Sequence, residues 1–325
     1  MLMSFEEVES EIGKGRPLAL AGSEEVLEKL PRGHWIGGTI PYFMGQEGGE
    51  ESREKIFVHP LPDSIVDTEI RLYDVNTISS IVEDAPENGF SLLLIPATSQ
   101  IHQDYAANAP GYDNMFLKPI IGWITGVHLD DLGKITPKVF NGETGTVADD
   151  QAVALHAHLP ADRVARIGIV NLFSQGNGDI ITFPETGFSA GDAVIAGKQR
   201  NLADYIDERG IDTRLPLVAD YQGAMINVSF QNIDEASHTT NFYAPVFSGV
   251  EYRLAAPVTD YVNEFQSCVP SGVEHISFSC NCILNYLYSE LNGKRTANLT
   301  GPMTFGEVAY QLLNQTLVYL NVEPA

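Results

Sequence analysis

Near its C-terminal end the chain carries Thr304-Phe305-Gly306-Glu307 and, shortly after, Asn314-Gln315-Thr316, so a carboxylate, paired amides and hydroxyls fall within an otherwise apolar segment. Amides offer donors and acceptors without charge, which suits recognition of a zwitterion or peptide group and is poor for proton transfer. Thr304 and Glu307 also have the spacing of a capping box, and Val308, Ala309, Leu312 and Leu313 continue at helical spacing. The spacing therefore predicts a helix start whose free N–H groups and positive dipole end can receive an anion or carboxylate. For Asn314-Gln315-Thr316 the competing reading is a set of turn residues that satisfy the local backbone.

A second group surrounds Phe278-Ser279-Cys280-Asn281-Cys282. On a regular strand Ile276, Phe278, Cys280 and Cys282 share one face, and His275, Ser277, Ser279 and Asn281 share the other. A Cys280–His275 nucleophilic pair would need a common face, so the thiols read as buried and inert, and Ser279 and Asn281 as candidates for a cleft. The ligand-binding set is thus Thr304, Gly306, Glu307, Asn314, Gln315, Thr316, Ser279 and Asn281, with no catalytic residue. His156 and His158 point the same way on a strand, but two histidines without a third ligand are a poor zinc site, and an exposed strand face is the ordinary explanation. No phosphate loop is present, no G-x-G-x-x-G opens a helix, and no nucleophile elbow is expected. No cofactor or metal is expected.

The elements that must hold these residues mix strands and helices. A short helix opens at Ser23, and strands cover Trp35-Ile36, Ile56 to Val58 and Ile70 to Tyr73. The acidic stretch Gly45 to Glu51 reads as a mobile, exposed loop. Phe90 to Ile95 is a continuous apolar run suited to a sheet covered on both faces, followed by a helix from Ser99 to Ala107 and a strand from Pro119 to Thr125. Asn141-Gly142 marks a tight turn, and Ala152 to Leu159 a strand. Further on, a helix is expected over about Ala196 to Arg209, ended by Gly210, and another over Thr259 to Phe265. Strands are expected over Leu215 to Ala219, Ala224 to Phe230, Val250 to Ala255 and Val273 to Cys280. The fold class is α/β (α+β), and the length favours two lobes, each a mixed sheet covered by helices. The turn at Gly176 divides them into residues 1–175 and 176–325.

The order of these motifs resembles the FIST sensory family. Thr304-Phe305-Gly306-Glu307 and Asn314-Gln315-Thr316 look like its T-Y/F-G-E and N-Q-T elements, and Phe278-Ser279-Cys280 like its F-S-C strand end. Pro119-Ile120-Ile121-Gly122 and Val139-Phe140-Asn141-Gly142 resemble its P-V-I-G and V-F-N-G elements. The resemblance implies FIST N-terminal-like and C-terminal-like parts forming a sensory module for a small, amino acid-like ligand. Two positions depart from the pattern: Asn281-Cys282-Ile283-Leu284 stands where the family often has Cys-x-x-Arg, and Leu313 where a His commonly precedes N-Q-T. A ligand carboxylate would have to find another cation. No kinase, cyclase or methyl-accepting segment is attached, so the resemblance implies a separate signalling protein partner.

Composition narrows the alternatives. With 19 basic against 43 acidic residues, a formal net charge of −24, the surface repels phosphate backbones and anionic headgroups, which argues against nucleic acid and membrane as partners. The N-terminal residues lack a secretion signal, no apolar run is long enough to span a bilayer, and the odd number of cysteines, 3, suits a reducing compartment, so a cytoplasmic location is expected. The competing classes are a metal-dependent or Thr/Glu-based hydrolase and a protein-interaction module without a small ligand.

Overall fold

The computed structural model describes residues 1–268, 276–296 and 298–325. Its centre is the apolar strand Gly89–Pro96, buried at every position. Such a run needs cover on both faces. It pairs in parallel with Ile120–Thr125, from Ser91↔Ile120 to Pro96↔Thr125, and antiparallel with Ala152–His158. Helix Gln100–Asn108 makes the crossover between the parallel pair, and Ser99 Oγ caps it by accepting from the His102 N–H at 3.2 Å. Gly122 sits where any Cβ would lie 1.8 Å from the Leu93 carbonyl oxygen, so glycine is required for the two strands to pair as they do. The whole sheet runs Gln311–Leu313, Glu307–Ala309, Ile120–Thr125, Gly89–Pro96, Ala152–His158, Asp67–Tyr73. With its mixed pairing and covering helices, the fold is α+β.

Strands from both sides of the boundary expected at 175/176 share sheets. Arg163–Val170 pairs along its length with Leu317–Pro324, which pairs in turn with Ile276–Cys282; Gly301–Thr304 then bridges to Tyr42–Gly45. One hydrophobic cluster accordingly joins Ala19, Ile36 and Phe57 to Phe278, Met303 and Leu320. Residues between Ile181 and Leu254 pack around a core of their own, centred on Phe183, Leu202, Tyr205 and Tyr252.

Two expectations change here. Gly45 to Glu51 is no exposed loop: Tyr42–Gly45 and Gly48–Glu51 form an antiparallel hairpin. Gly48 and Gly49 are buried against the backbone of Leu291 and Gly293, where a Cβ would meet atoms at 2.3 to 2.8 Å, so this glycine-rich segment is read by close backbone approach rather than by flexibility. The helix expected from Ala196 is confined to Leu202–Arg209, because Ala196 and Gly197 turn a hairpin between Asp192–Ile195 and Lys198–Asn201. Its C-terminal Gly210 is left-handed, with φ 58°. Val273 to His275, expected in a strand, lie outside the described residues. Among the described residues no helix is long and apolar enough to cross a membrane.

Candidate functional site

The helix start expected at Thr304 is absent. Thr304 ends strand Gly301–Thr304, Phe305 and Gly306 make a turn, and Glu307 opens strand Glu307–Ala309. That strand pairs with Ile120–Thr125 on one side and folds back on Gln311–Leu313 on the other. The apolar spacing that suits a helix face also suits this hairpin, since Val308 and Leu312, four apart, stand directly opposite each other. Tyr310, with φ 65°, makes the bend. Pairing with the central sheet satisfies the backbone that a helix would otherwise have satisfied.

This hairpin places Glu307 in the core with no measurable exposure. Its Oε2 accepts from the Thr316 N–H at 3.2 Å and hydroxyl at 2.7 Å, and its Oε1 lies 3.5 Å from Thr304 Oγ1. The single Thr304 hydroxyl proton has two closer acceptors, the carbonyls of Gly306 at 3.0 Å and Asn281 at 3.2 Å. Thr304 therefore turns a lone pair to Glu307, a contact completed when Oε1 carries a proton. Burial acts in the same direction and pushes the carboxyl up to about 8, against the hydrogen bonds from Thr316. Burial also raises the thiols of Cys280 and Cys282 well above their ordinary range, with the neighbouring Glu307 adding to the effect. These thiols are buried and inert, as the strand alternation predicts.

The amides complete the cluster. Asn281 Oδ1 accepts from the Cys282 N–H at 2.8 Å and from Asn285 Nδ2 at 2.9 Å. Gln315 is fully used: Oε1 accepts from the Ser229 hydroxyl at 2.7 Å, and Nε2 donates to the Arg214 carbonyl at 3.0 Å. Asn314 donates to the Leu313 carbonyl at 3.1 Å. Three amide atoms of this region have no partner among the described residues, namely Asn281 Nδ2, Asn285 Oδ1 and Asn314 Oδ1. The structure thus brings Thr304, Gly306, Glu307, Asn314, Gln315, Thr316 and Asn281 together, but as a buried cluster rather than as exposed cleft residues. Ser279 stands apart, its hydroxyl donating to the Thr300 carbonyl at 2.8 Å. The polar face of its strand is shared with the cross-strand neighbours Tyr319 and Leu317, which pack with Phe265 and Leu299, so it is covered rather than open.

Over the cluster opens a cleft of about 400 Å³. Gln315 and Asn285 reach its wall from below; Tyr261 and Tyr288 add phenols, Arg214 and Lys294 bring positive charge, and Asp212, Asp260 and Glu290 bring negative charge. The Arg214 guanidinium is chelated by Asp212 through contacts of 2.7 to 3.1 Å, while Lys294 Nζ makes only a 3.4 Å contact with the Ser289 carbonyl. The Tyr261 phenol abuts Asn281 without forming a hydrogen bond of good geometry. Apart from Gln315, sequence reasoning missed the lining residues. For Asn285 a signal existed: it lies four residues after Asn281, one helical turn away, and helix Ile283–Tyr288 begins directly after the strand.

The histidine pair is also corrected. His156 is buried, not on an exposed face, and both ring nitrogens are engaged: Nε2 with the Tyr73 hydroxyl at 2.8 Å and Nδ1 with the Ser91 hydroxyl at 2.7 Å. Tyr73 donates to Asp84 Oδ2 at 2.9 Å, so Nε2 must be the donor to Tyr73 and Nδ1 the acceptor from Ser91. Burial lowers this neutral imidazole to about 4. His158 carries none of these contacts and is half-buried.

A family model described as a family of unknown function, DUF6976, matches residues 3–323. The chain belongs to that family. The match takes in both the buried cluster and every residue of the cleft above it. No curated protein matches the chain.

Proposed function

We propose that this DUF6976 chain is a cytoplasmic sensory protein of FIST-like kind, which binds a small polar molecule, an amino acid or related metabolite, in the cleft over Gln315 and Asn285. The observation that carries the reading is the set of unpartnered buried amide atoms at and beneath the cleft wall: Asn281 Nδ2, Asn285 Oδ1 and Asn314 Oδ1. Leaving such a group unpaired costs roughly 1–3 kcal/mol, and a fold that tolerates several in one region has kept polar capacity to spare there. The cleft volume of about 400 Å³ is that of a small-molecule site. Lys294 supplies positive charge for a ligand carboxylate in place of the arginine missing after Asn281, and Asp260 and Glu290 on the same wall suit a ligand amino group. A signalling protein partner would read the occupied state.

A thermal-shift screen of amino acids and related metabolites tests the reading. Ligand at a hundredfold excess over Kd adds about 2.7 kcal/mol, enough to raise the melting temperature by a few degrees. The shift is expected to shrink in Lys294→Glu, which leaves the buried cluster untouched. A flat screen, or a hit unaffected by charge reversal at the cleft, would count against it.

A further inference from the structure

We infer that the inner end of the cleft takes an uncharged carboxamide group, with any charged part of the ligand left at the mouth beside Arg214 and Lys294. This inference rests on the cleft being a ligand site and adds which chemical group goes inward. Asn281 and Asn285 are already joined by one hydrogen bond, Asn285 Nδ2 to Asn281 Oδ1 at 2.9 Å. What remains on the pair is one donor, Asn281 Nδ2, and one acceptor, Asn285 Oδ1, both on side chains 2% exposed. A carboxamide carries the complementary set, a carbonyl oxygen for the donor and an N–H for the acceptor. A carboxylate offers acceptors only: it would satisfy Asn281 and leave Asn285 Oδ1 facing another acceptor.

Charge favours the same choice. Among the described residues the buried surroundings contain Glu307 and two cysteines but no basic side chain; the charged groups, Arg214 and Lys294 with Asp212, Asp260 and Glu290, are at the cleft. A carboxylate driven inward would lose its hydration without gaining a counter-ion, whereas a neutral amide loses far less. In the present arrangement the two unpartnered atoms are covered from solvent, and the Tyr261 phenol abutting Asn281 is the side chain an entering amide has to displace. Its ring stacks on Phe265 with centroids 5.8 Å apart, so the displacement is a movement of that aromatic pair or of Tyr261 alone.

The test is calorimetric titration of the full chain with matched amide and acid pairs of nearly equal size: glutamine with glutamate, asparagine with aspartate, succinamate with succinate. The inference predicts at least a tenfold preference for the amide in one or more pairs, reduced at least tenfold in Asn285→Leu, which removes the acceptor, and retained in Lys294→Ala. Acids binding as well as or better than their amides would overturn it while leaving the cleft as a ligand site. If none of the six binds while another metabolite does so in a Lys294-sensitive way, the inference fails alone; if nothing binds at all, both it and the ligand site fail. The comparison within wild-type protein decides the matter even if Asn285→Leu does not fold.

Discussion

A carboxyl sealed from water among hydroxyls, thiols and amides keeps its proton, and Glu307 is such a group. Its folded value of about 8 lies above the ordinary 4.5, so between those pH values the native state binds more protons than the unfolded chain, and stability falls as pH rises. The full effect is roughly 4–5 kcal/mol. Urea denaturation from pH 5 to 9 should show that decline in wild type and a much flatter profile in Glu307→Gln, which mimics the protonated form; identical slopes would mean that the carboxyl is ionised in the fold. His156 works in the opposite direction. Its folded value of about 4 lies below the ordinary 6.5, so the unfolded chain binds the extra proton, and stability is lost as pH falls between the two. His156→Gln should remove up to about 3 kcal/mol of that acid-side loss, seen as a shallower dependence of the urea midpoint between pH 6.5 and 4. Neither behaviour was legible from residue type alone. Both depend on burial, and His156 also on Ser91 and Tyr73, partners distant in sequence.

Elements built on a single dominant signal were readable. The apolar run of Gly89–Pro96, the Ser99 cap of Gln100–Asn108 and the Gly210 end of Leu202–Arg209 lie where hydrophobicity, capping and glycine chemistry place them. The terminal hairpin was misread because one pattern served two structures: Val308 and Leu312 fit one helix face and equally well the two arms of a tight hairpin. A tyrosine at φ 65° gives no turn signal of the kind glycine or asparagine would. Gly45 to Glu51 failed for a related reason, since its glycines admit neighbouring backbone instead of freeing the chain. Glycine in that role makes a prediction at the element scale. Gly122→Ala forces a methyl group against the Leu93 carbonyl inside the parallel pair and should destabilise the protein by roughly 3 kcal/mol or more, read from its urea midpoint. A nearly neutral variant would mean that these strands do not pair as described.

Across the whole molecule, the C-terminal strands close sheets begun by the N-terminal half, and this pairing is what assembles the cleft floor. Asn281 ends a strand beside Leu317–Pro324, Gln315 fastens the Arg214 segment, and Glu307 extends the central sheet. The α+β class could be read from the alternating texture of the sequence, but the pairing of distant strands could not, because no local pattern encodes a partner some 150 residues away, such as Leu317–Pro324 for Arg163–Val170. The cluster residues were legible as an unusual polar set; the cleft above them was not, since its wall is drawn from separate segments near Asp212, Pro257, Asn285 and Lys294. The measurement that bears most directly on the cleft as a ligand site is native mass spectrometry of gently purified wild-type protein beside Lys294→Glu. The account predicts an added small organic mass on the wild type that is lost or diminished in the variant; a clean, identical apo mass for both would contradict it.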